Sequence, residues 1–480
     1  MFGKKGDGSI NIVHSTVWSL TERYIPSLIQ IVSTLVIARL LTPKDFGEVA
    51  IVTTFIQVAN LIVASGFYEA LIYRVDNSRV LYSSVFYTNL FFAFVLYLIL
   101  ILFANPIAIF YGIPRLSVLI KVIGLNIIIY SFSYIQRIIF AIHINFRTTA
   151  VISFFCSIIG VTVGIILAFK GFGVWAIVFQ SLVINLIQTL FLWIFSKWRP
   201  SLSFSFNELK PVVPYASKIL FNNFIQVIYD NLYSLVLGKA FNAKILGYYN
   251  RMQTVVYYTT TNFMYSIESV FFPILCKDKE NEDYLLNSYE KLLRISTFLT
   301  FPILVCLIAL GKPLIIFILT EKWLGGLEML KILSLAFLFV PVIYINNSFL
   351  KIKNKTNVLF KASIVKKVLG VVILFVSVSF SVRMVCYGIL LYYFLDAIIS
   401  MVCSQIFLKI SIFSQIHYIS YNILANLVLY FIFYFSSEIS SIVPLKIIFG
   451  VVIGAACYLL IPFLFHLKES EILVNIIKRI

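Results

Sequence analysis

Apolar residues form long runs, separated by short breaks rich in proline, glycine and charge. A helix needs about 20 apolar residues to cross a membrane, whereas barrel strands alternate over about 10. About fourteen runs are long enough, with centres near residues 27, 58, 93, 128, 158, 185, 226, 260, 303, 338, 370, 395, 427 and 455. The pattern predicts an all-α integral membrane protein of about fourteen transmembrane helices.

A short polar stretch from Arg39 to Gly47 joins the first two predicted spans. Pro43 has no backbone N–H, Gly47 permits an unusual backbone angle, and the Lys-Asp pair between them requires water. We therefore predict a tight turn at the membrane edge. In this turn Arg39, Pro43, Phe46 and Gly47 are structural residues rather than ligands of a substrate.

The chain repeats itself after about two hundred residues. Residues 239–247 follow the plan of residues 39–47 and again end on a glycine, Gly247, while residues 119–125 resemble residues 329–335. Because six spans precede the second copy, both copies start on the same side of the membrane. The duplication predicts two six-helix parallel repeats that form a two-lobed bundle, an arrangement in which a substrate path lies between the lobes.

These repeats set the predicted domains. The N-terminal lobe covers residues 1–196 and a cytoplasmic linker covers 197–211. The C-terminal lobe covers 212–409, and two additional C-terminal helices cover 410–480.

Composition supports a membrane location and sets the orientation. The chain is 61% hydrophobic and 12% charged, whereas soluble domains are about 25% charged. Its net charge of +18 would suggest nucleic-acid binding in a soluble protein, but cytoplasmic loops of membrane proteins also collect Lys and Arg. With the N-terminus inside, 24 of the 38 Lys and Arg residues fall in inside connections. We predict cytoplasmic termini and no nucleic-acid partner.

Polar residues follow one face of several predicted spans at helical spacing. The stripes include Glu22, Arg23 and Gln30 in the first span, Thr54 and Gln57 in the second, Asn223, Gln226 and Asp230 in the seventh, and Arg251 and Glu268 in the eighth. Uncharged members could simply bond neighbouring helices together. Charged groups inside a membrane cost several kcal/mol unless paired or hydrated, so they indicate a wet cavity or internal ion pairs.

Signatures of catalysis are missing from the sequence. The six cysteines and four histidines are scattered, without metal-ligand spacing, and neither a phosphate-binding glycine loop nor a hydrolase motif occurs. We therefore predict that the chain is not an enzyme and holds no cofactor or metal.

The hairpin motifs resemble a known family. The matching stretches are Val36–Gly47, Ser65–Phe67, Ala70–Ile72, Gly171–Ala176 and Leu246–Arg251. They are similar to those of the WzxC-type polysaccharide and O-antigen flippases, which belong to the multidrug/oligosaccharidyl-lipid/polysaccharide exporter superfamily. The resemblance implies two lobes that alternate between inward-open and outward-open states in the bacterial inner membrane. The implied cargo is a polyprenyl-pyrophosphate-linked oligosaccharide, with membrane lipids and a polysaccharide polymerase or chain-length protein as further partners.

Roles for the polar residues follow from such a cargo, because a pyrophosphate cannot cross the apolar core without donors. Arg23, deep in the first span, is the leading candidate, and Arg251 would meet the headgroup late in transit. Lys218 and Arg137 either recruit the substrate or only set the topology. The remaining assignments are Gln30, Asn223 and Gln226 as polar lining, and Glu22, Asp230 and Glu268 as partners of these cations or sites of cation coupling.

Two other functions stay open at this point. A cation-coupled multidrug antiporter would use an aromatic cavity with Glu22 or Asp230 as its carboxylate. A membrane glycan polymerase or ligase would need a sizeable outer loop, and the predicted outside connections hold no more than about a dozen polar residues.

Overall fold

The computed structural model describes residues 8–74, 78–143, 145–436 and 442–464. These residues form helices and short connections, without a strand. The helices of the first half are α1 (Gly8–Leu40), α2 (Pro43–Ala64), α3 (Phe67–Tyr73), α4 (Arg79–Tyr111), α5 (Arg115–Ile142), α6 (Phe146–Phe169), α7 (Val174–Phe195), α8 (Phe206–Leu209) and α9 (Val213–Ala240). Those of the second half are α10 (Ala243–Lys277), α11 (Glu282–Ala309), α12 (Gly311–Ile318), a 3-10 helix (Glu321–Gly326), α13 (Leu327–Phe337), α14 (Val340–Ile352), α15 (Thr356–Val378), α16 (Val382–Leu408), α17 (Ile412–Ser436) and α18 (Val443–Leu464). The all-α prediction is confirmed.

Long apolar helices dominate the described residues. Nine segments there are long and apolar enough to cross a membrane. Five further long helices, α1, α9, α10, α15 and α18, occupy the other predicted spans without meeting the same apolar standard over their described lengths. The protein is thus a multi-pass membrane protein, and the number fourteen stays a prediction.

The predicted turn is the start of a helix. Helix α2 begins at Pro43, a position where the missing N–H costs nothing, and Thr42 caps it. The Thr42 hydroxyl accepts a hydrogen bond from the backbone N–H of Asp45, whose carboxylate accepts one from the N–H of Thr42 at 3.1 Å. This capping box fixes the chain direction between α1 and α2.

A second sharp bend separates α2 from α3. Ser65 and Gly66 both adopt left-handed backbone angles, with φ of 47° and 69°. Gly66 is also close to α9, since an added Cβ atom would lie 2.2 Å from the carbonyl oxygen of Ala216. Both the angle and the space therefore require glycine at this position.

The chain divides into two compact units, Met1–Gly247 and Tyr248–Ile480. In unit 1, α5 packs on α4 and α7, α6 packs on α1 and α7, and α2 packs on α5 and α9. In unit 2, α16 packs on α13, α14 and α15, and α17 packs on α11 and α18. The division falls inside α10 rather than at the linker that the sequence suggested, so the four predicted domains remain predictions.

Helix ends follow the sequence repeat. Helix α1 ends at Leu40 and α9 at Ala240, while α2 begins at Pro43 and α10 at Ala243. The offset is the two hundred residues found between the two copies of the polar stretch.

Candidate functional site

The first turns of α2 and α10 cross in direct contact, and one glycine on each helix makes this possible. A Cβ atom added at Gly47 would lie 1.7 Å from the carbonyl oxygen of Ala243, and one added at Gly247 would lie 1.8 Å from that of Pro43. Each helix thus sets its glycine against the first residue of the other. Small residues four positions apart let helix backbones approach this closely.

The reason predicted for Gly47 is wrong. Gly47 lies inside α2 and is not among the glycines with positive φ, so it needs no unusual backbone angle. It is required because a side chain would collide with a carbonyl group.

Phe46 packs against the buried cluster of Ile37 and Leu41, and Arg39 lies exposed in the last turn of α1.

A salt bridge holds the connection between α4 and α5 against the start of α2. Arg115 lies 3.6 Å from Asp45 and 3.9 Å from Glu48, whose side chain is only 3% exposed. Two acidic groups in the first turns of a helix also suit the positive end of its dipole. These contacts are structural.

The polar stripe of α1 is bonded to α7 where its side chains are described. Ser33 donates to the amide oxygen of Gln180 at 3.2 Å, and the Gln180 amide nitrogen donates to Gln30 at 3.1 Å. Gln180 itself is buried against Gly160 and Gly164 of α6. Hydrogen bonds between α1 and α7 therefore explain why Ser33 is polar and explain part of the role of Gln30. Gln30 is nevertheless exposed.

A second polar cluster joins α2 to α9. Thr54 donates to the Asn231 oxygen at 3.2 Å, and the Asn231 amide donates to Gln57 at 2.9 Å. One turn earlier on α9, Gln226 donates to Asp230 at 2.9 Å, and both side chains are exposed. The structure thus gives Asp230 a neutral partner on its own helix.

The other predicted residues of unit 1 are spread out. Asn223 is half-buried and Lys218 exposed on α9. Arg137 on α5 lies over the Tyr130 ring at 5.7 Å, with its Nε donating to Ser133 at 3.4 Å. Glu22 and Arg23 belong to α1, but their side chains lie outside the described residues.

In unit 2, Arg251 is covered by an aromatic side chain. It is 9% exposed, and its guanidinium lies 5.7 Å from the centroid of the fully buried Trp323. Tyr248, one turn earlier on α10, donates to the carbonyl of Lys322 at 3.0 Å. The start of α10 is thus packed on the 3-10 helix, and an anionic headgroup could meet Arg251 only after this packing opens.

Glu268 forms an ion pair. Its carboxylate accepts hydrogen bonds from Lys351 at 2.9 Å and from Ser348 at 3.0 Å, which ties α10 to α14. The pair is partly exposed, with the lysine side chain at 46%. Of the two roles predicted for Glu268, this geometry favours the ion pair.

Sequence reasoning missed another ion pair in unit 2. Lys366 of α15 lies 2.5 Å from the carboxylate of Asp396 on α16 and donates to Ser400 at 2.8 Å. The charge count in the sequence assigns Lys366 to an inside connection, whereas the structure places it near the middle of α15. The sequence does contain a signal for this ion pair, because Asp396 is a carboxylate in the middle of an apolar run.

An apolar groove of about 580 Å³ lies in unit 1 beside α4 and α9. Its walls are mostly aromatic and aliphatic, and they include Phe67, Tyr87, Phe91, Phe92, Phe204, Phe206, Leu209 and Leu220. Such a lining suits hydrocarbon and offers few donors to a sugar or a pyrophosphate. The polar stripes, not this groove, are therefore the candidate transport site.

Solved structures of membrane transporters have the same fold. An inward closed conformation of the lipid II flippase MurJ superposes with a TM-score of 0.75, covering 94% of this chain and 99% of that chain at 14% identity. An inward-facing multidrug resistance MATE family transporter of the MOP superfamily gives 0.61, covering 82% and 98%, also at 14% identity. The chain therefore shares the fold of these two transporters.

The chain belongs to the polysaccharide biosynthesis protein family, whose profile matches residues 36–327, more than half of its length. It is 22% identical over 325 residues to the succinoglycan biosynthesis transport protein ExoT of Rhizobium meliloti, covering 68% of this chain and 66% of that protein. The teichuronic acid biosynthesis protein TuaB of Bacillus subtilis is 21% identical, covering 73% of each chain. The lipopolysaccharide biosynthesis protein WzxC of Escherichia coli is 22% identical, covering 73% of this chain and 71% of that protein. The resemblance carried by the hairpin motifs is confirmed.

Proposed function

We propose that this protein is a flippase that moves a polyprenyl-pyrophosphate-linked oligosaccharide across the bacterial inner membrane for surface polysaccharide biosynthesis. The observation that carries the proposal is the family match over residues 36–327, which begins at the first hairpin motif. Relatives named for succinoglycan, teichuronic acid and lipopolysaccharide biosynthesis support a glycan cargo. Both termini lie in the cytoplasm in this proposal, and a polymerase or chain-length protein receives the product.

The cargo headgroup sets the chemistry of the path. A pyrophosphate carries about two negative charges, so a mid-membrane cation must replace part of its hydration. Arg23 is our leading candidate, because a guanidinium can donate two parallel hydrogen bonds to a phosphate. Helix α1 ends at Leu40, which puts Arg23 about 25 Å from that end at 1.5 Å per residue.

The other polar groups divide into two sets in this proposal. Gln30, Asn223 and Gln226 have half-buried or exposed side chains that can bond sugar hydroxyls. Arg251 acts late, because it must first leave the face of Trp323. Lys218 and Arg137 serve at the entry.

The test is glycan display in a flippase-null strain that carries this gene with its own glycan cluster. Display should depend on the gene, and undisplayed lipid-linked oligosaccharide should accumulate on the cytoplasmic side without it. If drug efflux changes and display does not, the protein is a multidrug antiporter. If the undisplayed oligosaccharide instead accumulates on the outer leaflet, the defect is in polymerisation or ligation, and the flippase proposal fails.

A further inference from the structure

The connection from α7 to α9 has a polar side and an apolar side, because serines alternate with apolar residues from Ser201 to Phe206. The backbone N–H groups of Ser201 and Ser205 donate to the hydroxyls of Ser83 and Ser84 in the first turns of α4, each at 2.9 Å. The apolar side chains between these anchors are exposed, at 99% for Leu202, 54% for Phe204 and 72% for Phe206. The connection is thus fixed to α4 through its serines, while its apolar side chains remain uncovered.

This exposed apolar surface continues into the groove of unit 1. Phe204 and Phe206 both line the groove of about 580 Å³, whose wall also includes the buried side chains of Phe67 and Leu209. Sites that bind small molecules have volumes of about 300–1,000 Å³. A large exposed apolar surface indicates an interaction site, because covering it removes apolar area from water.

The groove has the depth of one membrane leaflet. Its lining residues on α4, from Tyr87 to Phe92, lie about 12 to 20 Å from the first residue of that helix, Arg79, at 1.5 Å per residue. The hydrocarbon core of a bilayer is about 30 Å thick, so each leaflet contributes about 15 Å. The groove therefore fits a single hydrocarbon chain that enters beside the linker and runs along α4.

Basic side chains surround the entrance to the groove. Lys210 and Lys218 each directly follow a residue that lines it. Four basic residues at this end of unit 1 are exposed, namely Arg79, Lys197, Lys210 and Lys218. A cluster of this size next to a membrane-spanning helix attracts anionic lipid headgroups.

The nearby carboxylates do not cancel this charge. Glu208 lies 3.9 Å from Arg74, so its charge is already matched. Glu69 on α3 is two positions after the lining residue Phe67, which turns it to the opposite side of that helix. The entrance therefore keeps a net positive charge.

We propose that the groove of unit 1 binds one acyl chain of an anionic glycerophospholipid from the surrounding membrane, with the lipid phosphate at Lys210 and Lys218. The chain covers the groove and the outward side chains of Phe204 and Phe206. The headgroup stays at the membrane surface, so no charge enters the apolar lining. The bound lipid holds the linker against the membrane and stays in place, which makes this site separate from the proposed transport path.

The test counts the lipids bound to the purified full chain by native mass spectrometry in a neutral detergent. The probes are phosphatidylglycerol and phosphatidylcholine with identical chains, so that only the headgroup charge differs. The wild-type protein should retain one phosphatidylglycerol at concentrations at which phosphatidylcholine is lost. Phe206→Ala should raise the dissociation constant of phosphatidylglycerol about tenfold, and Lys210→Gln about fivefold. Equal retention of the two lipids by the wild-type protein would overturn the proposal.

Two control variants remove matching side chains outside the groove. Phe169→Ala removes an aromatic ring that is 70% exposed at the end of α6, and Lys170→Gln removes the exposed lysine beside it. Both should bind phosphatidylglycerol like the wild-type protein. If these controls weaken binding as much as Phe206→Ala and Lys210→Gln do, the lipid is not held in the groove and the proposal fails.

A third variant fills the groove without changing its charge. Ser217 is an exposed lining residue, so Ser217→Trp should abolish the retained phosphatidylglycerol and the rise in melting temperature that the lipid gives the wild-type protein. Undiminished binding by a folded Ser217→Trp protein would refute the site. If this variant does not fold, Phe206→Ala and Lys210→Gln still decide the question, because both side chains are exposed.

A competition experiment separates the membrane phospholipid from the proposed cargo. Polyprenyl phosphate is added to the wild-type protein that holds phosphatidylglycerol. Retention of phosphatidylglycerol supports the proposal. If an equal concentration of polyprenyl phosphate displaces it, the groove holds the chain of the cargo and the phospholipid assignment is wrong. Both measurements record binding alone, so a failure of the flippase proposal would leave their outcome unchanged.

Discussion

Replacing Gly47 tests the helix crossing directly. In Gly47→Ala the new methyl carbon would lie 1.7 Å from the Ala243 carbonyl oxygen, whereas a normal contact needs about 3.4 Å. The helices must therefore separate by nearly 2 Å. The atoms that the methyl group meets belong to the backbone of α10, so no flexible side chain can move aside. Overpacking of this kind costs about 1–3 kcal/mol. Gly47→Val adds two further carbons and should lower the amount of folded protein sharply.

Gly247 makes the matching close contact with α2, so the two glycines can be tested together. A Cβ atom at Gly247 would collide with Pro43 at 1.8 Å, and the same separation of α2 from α10 relieves both collisions. The costs of Gly47→Ala and Gly247→Ala should therefore not add, and the double variant should be about as stable as the worse single variant. Independent sites would give a double variant that loses the sum.

The assay is the melting temperature of the purified protein, measured with its abundance in membranes. Gly124→Ala is the matched control, because this helical glycine of unit 1 meets only the Tyr97 ring, at 3.0 Å, and a side chain can give way. The control should stay close to wild type. A Gly47→Ala protein with wild-type melting temperature, or strictly additive losses in the double variant, would refute the crossing.

Three further outcomes are expected. Cysteine labelling from the periplasm should reach a cysteine at Lys44 but not one at Lys353, and labelling at Lys353 would overturn the predicted topology. Arg23→Lys should reduce glycan display in part and Arg23→Ala severely, at unchanged abundance; full display with Arg23→Ala would remove Arg23 from the path. Glu268→Gln should keep display, because the partly exposed Lys351 can be hydrated, and a loss of display at normal abundance would assign coupling to Glu268.

Local patterns were sufficient to predict the helices and their breaks. Apolar runs of span length can satisfy their backbone only as helices in a membrane, so the all-α fold follows from composition and spacing. Pro43, predicted to lie in a turn, is the first residue of α2, where its missing N–H is harmless. The two-hundred-residue repeat reappears in helix ends, since both copies share the same boundary residues.

Tertiary contacts decide the roles that the sequence could not assign. The sequence does not distinguish a glycine needed for an unusual backbone angle from one needed for a close helix crossing. For Gly47 only the short distance to Ala243 shows which reason applies. Arg251 is on a polar stripe by spacing, yet the residue that covers it, Trp323, is distant in sequence. Asp396 and Lys366 likewise come from different helices, one an isolated carboxylate in an apolar run and the other a member of a basic segment. Their 2.5 Å contact joins the two charges in one buried pair.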